Sequence, residues 1–542
     1  MKKSIKYIFT ALALLFIASS CDDFGDVNTD PESIEKEAMD YKFVFTNVQQ
    51  YCYGTEYEAW RNGLIYISTM IQHTASTQSY WNGDKYTYSA GYNSAYWDRM
   101  YPNAIRDAVD ILENWKGKEE YLTEYNMTRV LKVLLMQRMT DMYGDITYTE
   151  AGLAYSQKNH YPAYDTQEFI YNDMLNELNE VGTYLNNIPT TTKTANIGPA
   201  DIMYQGDIAK WKKFTYSLML RVAMRLSKVD PEKAEAWSKI AVAEGVFESN
   251  DDSAIIKHPG AVTSNNTCEP FGKIYCHEDP DAYRMSESFV NLLKDTQDPR
   301  LIYLCTVVVD PSRKIGSGDW QMGDTTAVAQ IGMPNGYDQL DGATDITHAP
   351  NFPGHDYSID ENGDRIIIRN GITKYSVANR YTYARIDAPT FIVTHAETQL
   401  LLAEAAAYRG WISGSAETYY NSGVTAAMKQ FQQFGISGIS DAQIQKYLAS
   451  NPFNNSTALE QINTQYYINT FSDEYESFAN WRRSGYPVLK PVNYIGNVTN
   501  GTIPRRFTYP TEEASINSDN YLKAVANLSD GDKMTSRVWW DK

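Results

Sequence analysis

The chain lacks the residue patterns that mark common enzyme and metal classes. It has 542 residues but only five cysteines and seven histidines. No Cys-x-x-Cys pair occurs, which speaks against zinc ribbons and thioredoxin-type redox chemistry. No two histidines stand at metal-binding spacing on one helix. His-Glu-x-x-His, Gly-x-Ser-x-Gly, Walker and Gly-x-Gly-x-x-Gly patterns are all missing, so no catalytic motif is present. Basic residues are in deficit. There are 48 Lys and Arg against 67 Asp and Glu, a net charge of −19. A general nucleic-acid binder needs a basic surface to displace phosphate counterions, so that class is excluded. The apolar run from Tyr7 to Ile17 is too short for a stable membrane span.

What is present is an ordinary globular composition, 43% hydrophobic and 21% charged. The 42 tyrosines stand out. Tyrosine pairs an apolar face with a hydroxyl, which suits half-exposed binding surfaces. Lys2, Lys3 and Lys6, the short apolar run, and Ala18-Ser19-Ser20 before Cys21 form a secretory signal. Cys21 lies where a lipobox places its acylated cysteine, so residues 1–20 read as a lipoprotein signal peptide and Cys21 as the lipidation site. Asp22 and Asp23 follow it and point toward surface export. The exported compartment permits disulfides. Cys268 and Cys276 are eight apart and either close a loop or stay as buried thiols. Asp26 to Glu37 has part of a calcium-loop spacing. Pro31 replaces the glycine such a loop turns on, so a helix start is expected there instead, and no cofactor is implied beyond an optional structural calcium ion.

Residues 21–542 read as one domain: a helical scaffold at about 34–250 and 390–485, and a loop-rich region at about 250–388. Met127, Leu131, Leu134, Leu135 and Met142 form one helical stripe that ends at Gly144. Trp211, Phe214, Leu218, Val222 and Leu226 form another, and Asp230-Pro231 starts the next helix. Around Asn362-Gly363 the pattern predicts a β-hairpin between Tyr357–Ile359 and Arg365–Ile368. The helix over Ile392–Ala407 is followed by one with Ala416, Tyr420 and Gly423 on a small–large–small face. Such a face is loosely tetratricopeptide-like, although Glu404 stands where a small residue is expected. The fold class expected is all-α dominated, with stacked tetratricopeptide-like helix pairs and short β-hairpins in the loop-rich region.

The order of several stretches carries a resemblance. They are Cys21-Asp22-Asp23, Asn28-Thr29-Asp30-Pro31, Tyr143-Gly144-Asp145-Ile146, Trp211-Lys212-Lys213-Phe214, Gly410-Trp411-Ile412, Trp481-Arg482-Arg483 and Ile503-Pro504-Arg505-Arg506. Together they resemble the SusD/RagB family of outer-membrane nutrient-binding lipoproteins, in its second SusD-like subgroup. That resemblance implies capture of oligosaccharides, or in some branches peptides. It implies a TonB-dependent outer-membrane barrel as partner, a lipid-anchored and surface-exposed location, and no catalysis.

A neutral sugar needs aromatic planes with amide or carboxylate groups beside them. Tyr80-Trp81-Asn82-Gly83-Asp84-Lys85-Tyr86 offers both in one loop, so Trp81 and Tyr80 are expected to stack ligand. Asn82 and Asp84 are expected hydroxyl partners, and Tyr86 a further candidate. Trp320 and Tyr337, in the loop-rich region, are candidates opposite. Trp97, Trp211 and Trp481 read as core, and Arg221, Arg225, Arg505 and Arg506 as structural ion pairs. The competing readings are an α-helical glycosidase with two acid groups, and a scaffold lid that binds no ligand.

Overall fold

The computed structural model describes residues 39–260, 267–340 and 342–542. Cys21 and the Asp26–Glu37 leader lie outside the described residues. Residues 44–542 form one unit.

The scaffold is built from capped amphipathic helices. Those used below are α1 (Ala90–Arg99), α2 (Arg106–Trp115), α3 (Leu122–Tyr143), α4 (Gln167–Asn187) and α5 (Ile208–Arg225). After them come α6 (Pro231–Glu244), α7 (His395–Arg409), α8 (Ala416–Lys429), α9 (Ala458–Asn469) and α10 (Glu474–Ser484). The predicted stripes are buried: Met127, Leu131, Leu134, Leu135 and Met142 on α3, and Trp211, Phe214, Leu218 and Val222 on α5. Caps set the ends. Asp207 accepts from the amides of Ala209 and Lys210, and Asp230 accepts from Lys233 N at 3.1 Å with Pro231 in the first turn. Helix α3 stops at Gly144, whose φ of +89° only glycine adopts without strain.

Neighbours in sequence pack on each other: α3 with α4, α4 with α5, α5 with α6, and α7 with α8. The α7–α8 contact needs small residues. A Cβ on Gly423 would lie 2.8 Å from Leu400 Cγ, too close for any side chain. Glu404 is no exception to this packing, because its carboxylate never faces the small-residue seam alone. It takes two bonds from Arg483, at 2.5 and 2.8 Å, and one from Asn463 at 3.0 Å. Burial alone would raise its pKa, but Arg483 holds the carboxyl below its ordinary range. The four arginines expected to be structural are so. Arg221 pairs with Glu397, Arg225 with Glu476, Arg505 with Asp541 and Arg506 with Asp532.

Four two-stranded antiparallel pairs lie among the described residues. In chain order the strands are β1 (Thr74–Ser76), β2 (Ala254–Ile256), β3 (Tyr283–Met285), β4 (Cys305–Thr306), β5 (Asp356–Ile359), β6 (Arg365–Arg369), β7 (Val377–Ala378) and β8 (Thr390–Val393). The predicted hairpin is the β5–β6 ribbon, closed by Asp360 N to Asp364 O at 2.9 Å with Gly363 at φ +86°. The β1–β3 pair, extended by Thr77 N to Ala282 O, brings the 77–89 loop against residues 279–283. That contact builds the site. Cys52, Cys268, Cys276 and Cys305 are buried and none is in a disulfide, so Cys268 and Cys276 do not close the loop between them.

Candidate functional site

The site grows from one carboxylate. Asp279 follows a short helical turn at Ile274–Glu278 and faces three aromatic side chains. Its Oδ2 accepts from Tyr80 OH at 2.7 Å, Trp81 Nε1 at 3.0 Å and Trp60 Nε1 at 3.2 Å. Burial raises the Asp279 pKa, opposed by those same three donors. Trp60 stands on a wide-turned helix, Ala59–Ser68, wound as a π-helix, a form that recurs at functional sites. Beside it Arg61 lies 3.8 Å over the Tyr57 ring, and Arg99 approaches the same ring at 5.0 Å.

The rings differ in what they leave open. Tyr80 is 40% exposed and Trp60 is half-buried. Trp81 is fully buried, which corrects the expectation that it stacks ligand. Its ring packs nearly parallel to Tyr283, centroids 6.3 Å apart, its N–H is spent on Asp279, and no part of the ring reaches solvent for a sugar to cover. Asp84 and Tyr86 are corrected likewise. Asp84 is buried, accepting from Ser76 N at 3.0 Å and Gly336 N at 3.4 Å. Burial lifts its pKa to about 6, with Lys85 opposing. Tyr86 is buried in a left-handed conformation (φ 52°), its hydroxyl accepting from Val492 N. Asn82 folds back on its own loop, its amide facing the carbonyls of Ser79 and Tyr80. Loop closure depends on Gly83, where a Cβ would meet Thr69 Oγ1 at 2.2 Å and Tyr66 O at 2.3 Å.

Trp320 reaches the same neighbourhood by another route. Its ring is half-exposed and lies under Arg380, whose guanidinium carbon is 3.7 Å from the ring centroid. Arg380 is itself fixed by the carbonyls of Gln321 and Pro311. The loop rests on the Asp279 turn through Ile315 N to Cys276 O at 2.8 Å. Tyr337 is half-buried against Met333, Ile346 and Ile372, on the loop whose Gly336 amide meets Asp84. The structure thus ties Tyr80 and Trp81 to Asp279, joins the loop that carries Trp320 to the same segment through Ile315, and sets Tyr337 next to Gly336, whose amide meets Asp84. Sequence reading missed Trp60, Arg61 and Asp279. A Trp-Arg pair on a helix carries no spacing signal, and Asp279 is one acid among 67 acidic residues. Among the described residues no group of three or more His, Cys, Asp or Glu side chains could hold a metal ion.

Residues 31–510 match a family model named SusD-like_2, described as starch-binding and associating with the outer membrane. No curated protein matches the chain. Among solved structures, a chitin-binding protein is 31% identical with a TM-score of 0.77, covering 93% of this chain and 100% of its own. A SusD-like protein, AC2a, of the Bacteroidetes is 27% identical with a TM-score of 0.80, over the same shares of both chains. A chitin-binding SusD homologue from Flavobacterium johnsoniae, 24% identical over 93% of this chain and 98% of its own, has a TM-score of 0.69 and likens the fold alone. The expected scaffold of stacked tetratricopeptide-like helix pairs is the fold these neighbours share. With the family model spanning most of its length, the chain belongs to the SusD-like family of outer-membrane-associated, starch-binding proteins.

Proposed function

We propose that this protein is a surface lipoprotein, anchored through Cys21, that captures a neutral oligosaccharide without cleaving it and passes it to a TonB-dependent outer-membrane barrel. The observation that carries the reading is the gathering of Tyr80, Trp60 and Trp81 on the Asp279 carboxylate. Rings fixed in this way form a stiff apolar ledge, with Tyr80 facing solvent and Trp320 clamped nearby under Arg380. Sugar rings stack on such ledges through their C–H faces, while hydroxyls bond to the groups around them. The family description and the 31% identical chitin-binding neighbour support a glycan as ligand.

Titration calorimetry with chitohexaose and maltohexaose tests this. Heat with an intact ligand, lost when Trp60 and Tyr80 are both replaced by alanine, supports capture. New reducing ends in the same cell would replace it with a glycosidase. Copurification with a large outer-membrane barrel tests the delivery step.

A further inference from the structure

A second cleft lies between the end of α1, the 147–162 loop and the 513–517 turn, and it shares no lining residue with the site above. It encloses about 410 Å³, within the roughly 300–1,000 Å³ typical of small-molecule sites. Trp97 and Tyr101 line it, and Tyr155 stands at its rim.

Three observations show that this cleft is equipped but unused within the chain. Tyr155 is 90% exposed, and neither it nor His160 makes a hydrogen bond, ion pair or ring contact with any described residue. Trp97 is 7% exposed and packs on the rings of Tyr101, Tyr143, Tyr164 and Tyr509, while its indole N–H donates to no described residue. The loop behind Tyr155 is nonetheless well held. Glu150 accepts from Asn159 Nδ2 at 2.8 Å and Ala163 N at 2.7 Å, and Asn517 Nδ2 donates to Pro162 O at 2.9 Å. A large aromatic left in water on a fixed loop, beside an indole N–H that no group of the chain takes up, marks a surface that expects company.

We propose that this cleft is a second binding site, for a neutral, hydroxyl-rich sugar segment. Tyr155 supplies a stacking face and Trp97 a donor. Glu150 and Glu513 each keep one carboxylate oxygen free after accepting from Asn159, Ala163 and Tyr164. Carboxylate acceptors match sugar hydroxyl donors. Two of them in the lining, where Arg106 is already paired with Asp107, disfavour anionic polysaccharides and exclude the dry lining a fatty chain needs. The proposal rests on the capture reading and extends it, giving one chain two footholds on a long glycan, so that the second contact forms at high effective concentration.

Calorimetry with chitohexaose and maltohexaose separates the two sites. Tyr155 is exposed, so Tyr155→Ala folds, and His160→Ala gives an independent second probe. The expected result is more than one equivalent bound, with one class weakened roughly tenfold or lost in Tyr155→Ala and kept in the Trp60→Ala/Tyr80→Ala double variant. A single equivalent, insensitive to Tyr155→Ala and His160→Ala but lost in the double variant, overturns the second site and leaves the capture reading standing. Binding that survives the double variant but fails in Tyr155→Ala supports the cleft and removes the Asp279 ledge as the site. No heat with either probe in the wild type overturns both. Unchanged glycan titrations with loss of barrel copurification in Tyr155→Ala would make the cleft a protein-docking surface and overturn the sugar assignment.

Discussion

Arg221 and Glu397, 176 positions apart, form a two-pronged ion pair, Nε to Oε1 at 2.5 Å and Nη2 to Oε2 at 2.6 Å, with both side chains buried. The pair fastens α5 to α7 and so clips the early helices to the late ones across the loop-rich region. Removing one member leaves the other charge stranded in a low-dielectric interior. Glu397→Gln should therefore cost about 3–5 kcal/mol in denaturant unfolding. A loss below about 1 kcal/mol would show that water or Glu476 takes over.

Trp81 and Tyr80 should part company on mutation. Trp81→Ala opens a cavity beneath the ledge and should cost about 3–5 kcal/mol of stability. Tyr80→Ala removes a solvent-facing ring. It should change stability by less than about 1 kcal/mol while weakening sugar binding by about 1–1.5 kcal/mol, roughly five- to twelvefold. Paired unfolding and calorimetry curves check both. Equal stability loss in the two variants would contradict the burial difference.

Asp279→Ala strands two indole N–H groups that now share its oxygen with Tyr80. Unfolding should show a loss of about 1–3 kcal/mol. Glycan affinity should fall although the aspartate need not touch the sugar, and Tyr80→Phe should reproduce only part of that fall.

Stability should decline as pH rises from about 5 to 9, through Glu269. Burial pushes this carboxyl up to about 8, opposed by the amides of Gly272 and Phe271. A carboxyl raised above its unfolded value binds more protons folded than unfolded between about 4.5 and 8. The slope of unfolding free energy with pH is negative in that window, and the stabilisation is spent above pH 8. Glu269→Gln keeps a neutral cap on the following turn, so its pH curve should be flatter and it should outlast the wild type at pH 9. Parallel curves for the two proteins would rule this out.

The helices were legible because caps and stripes are local. Asp230 with Pro231 announces a start, and Gly144 announces a stop. The β5–β6 ribbon was legible for the same reason, since Asn362-Gly363 lies between its own strands. The site was legible only as a neighbourhood. Tyr80 to Tyr86 is the loop on which the candidate site is built, but which of its rings face outward depends on Asp279 and Tyr283, about 200 residues away, and no spacing rule reaches that far. Glu404 shows the opposite case. It looked like a flaw in a small-residue face, and its explanation, Arg483, lies on another helix.

The ledge around Asp279 has a consequence for affinity. Its rings are already parked before any glycan arrives, because Tyr80, Trp60 and Trp81 spend their polar atoms on the same oxygen. Docking then freezes few rotors, and undocking frees few. A surface held ready in that way leaves little ordering cost to offset the contacts, so pre-organisation adds to affinity in the capture role proposed above.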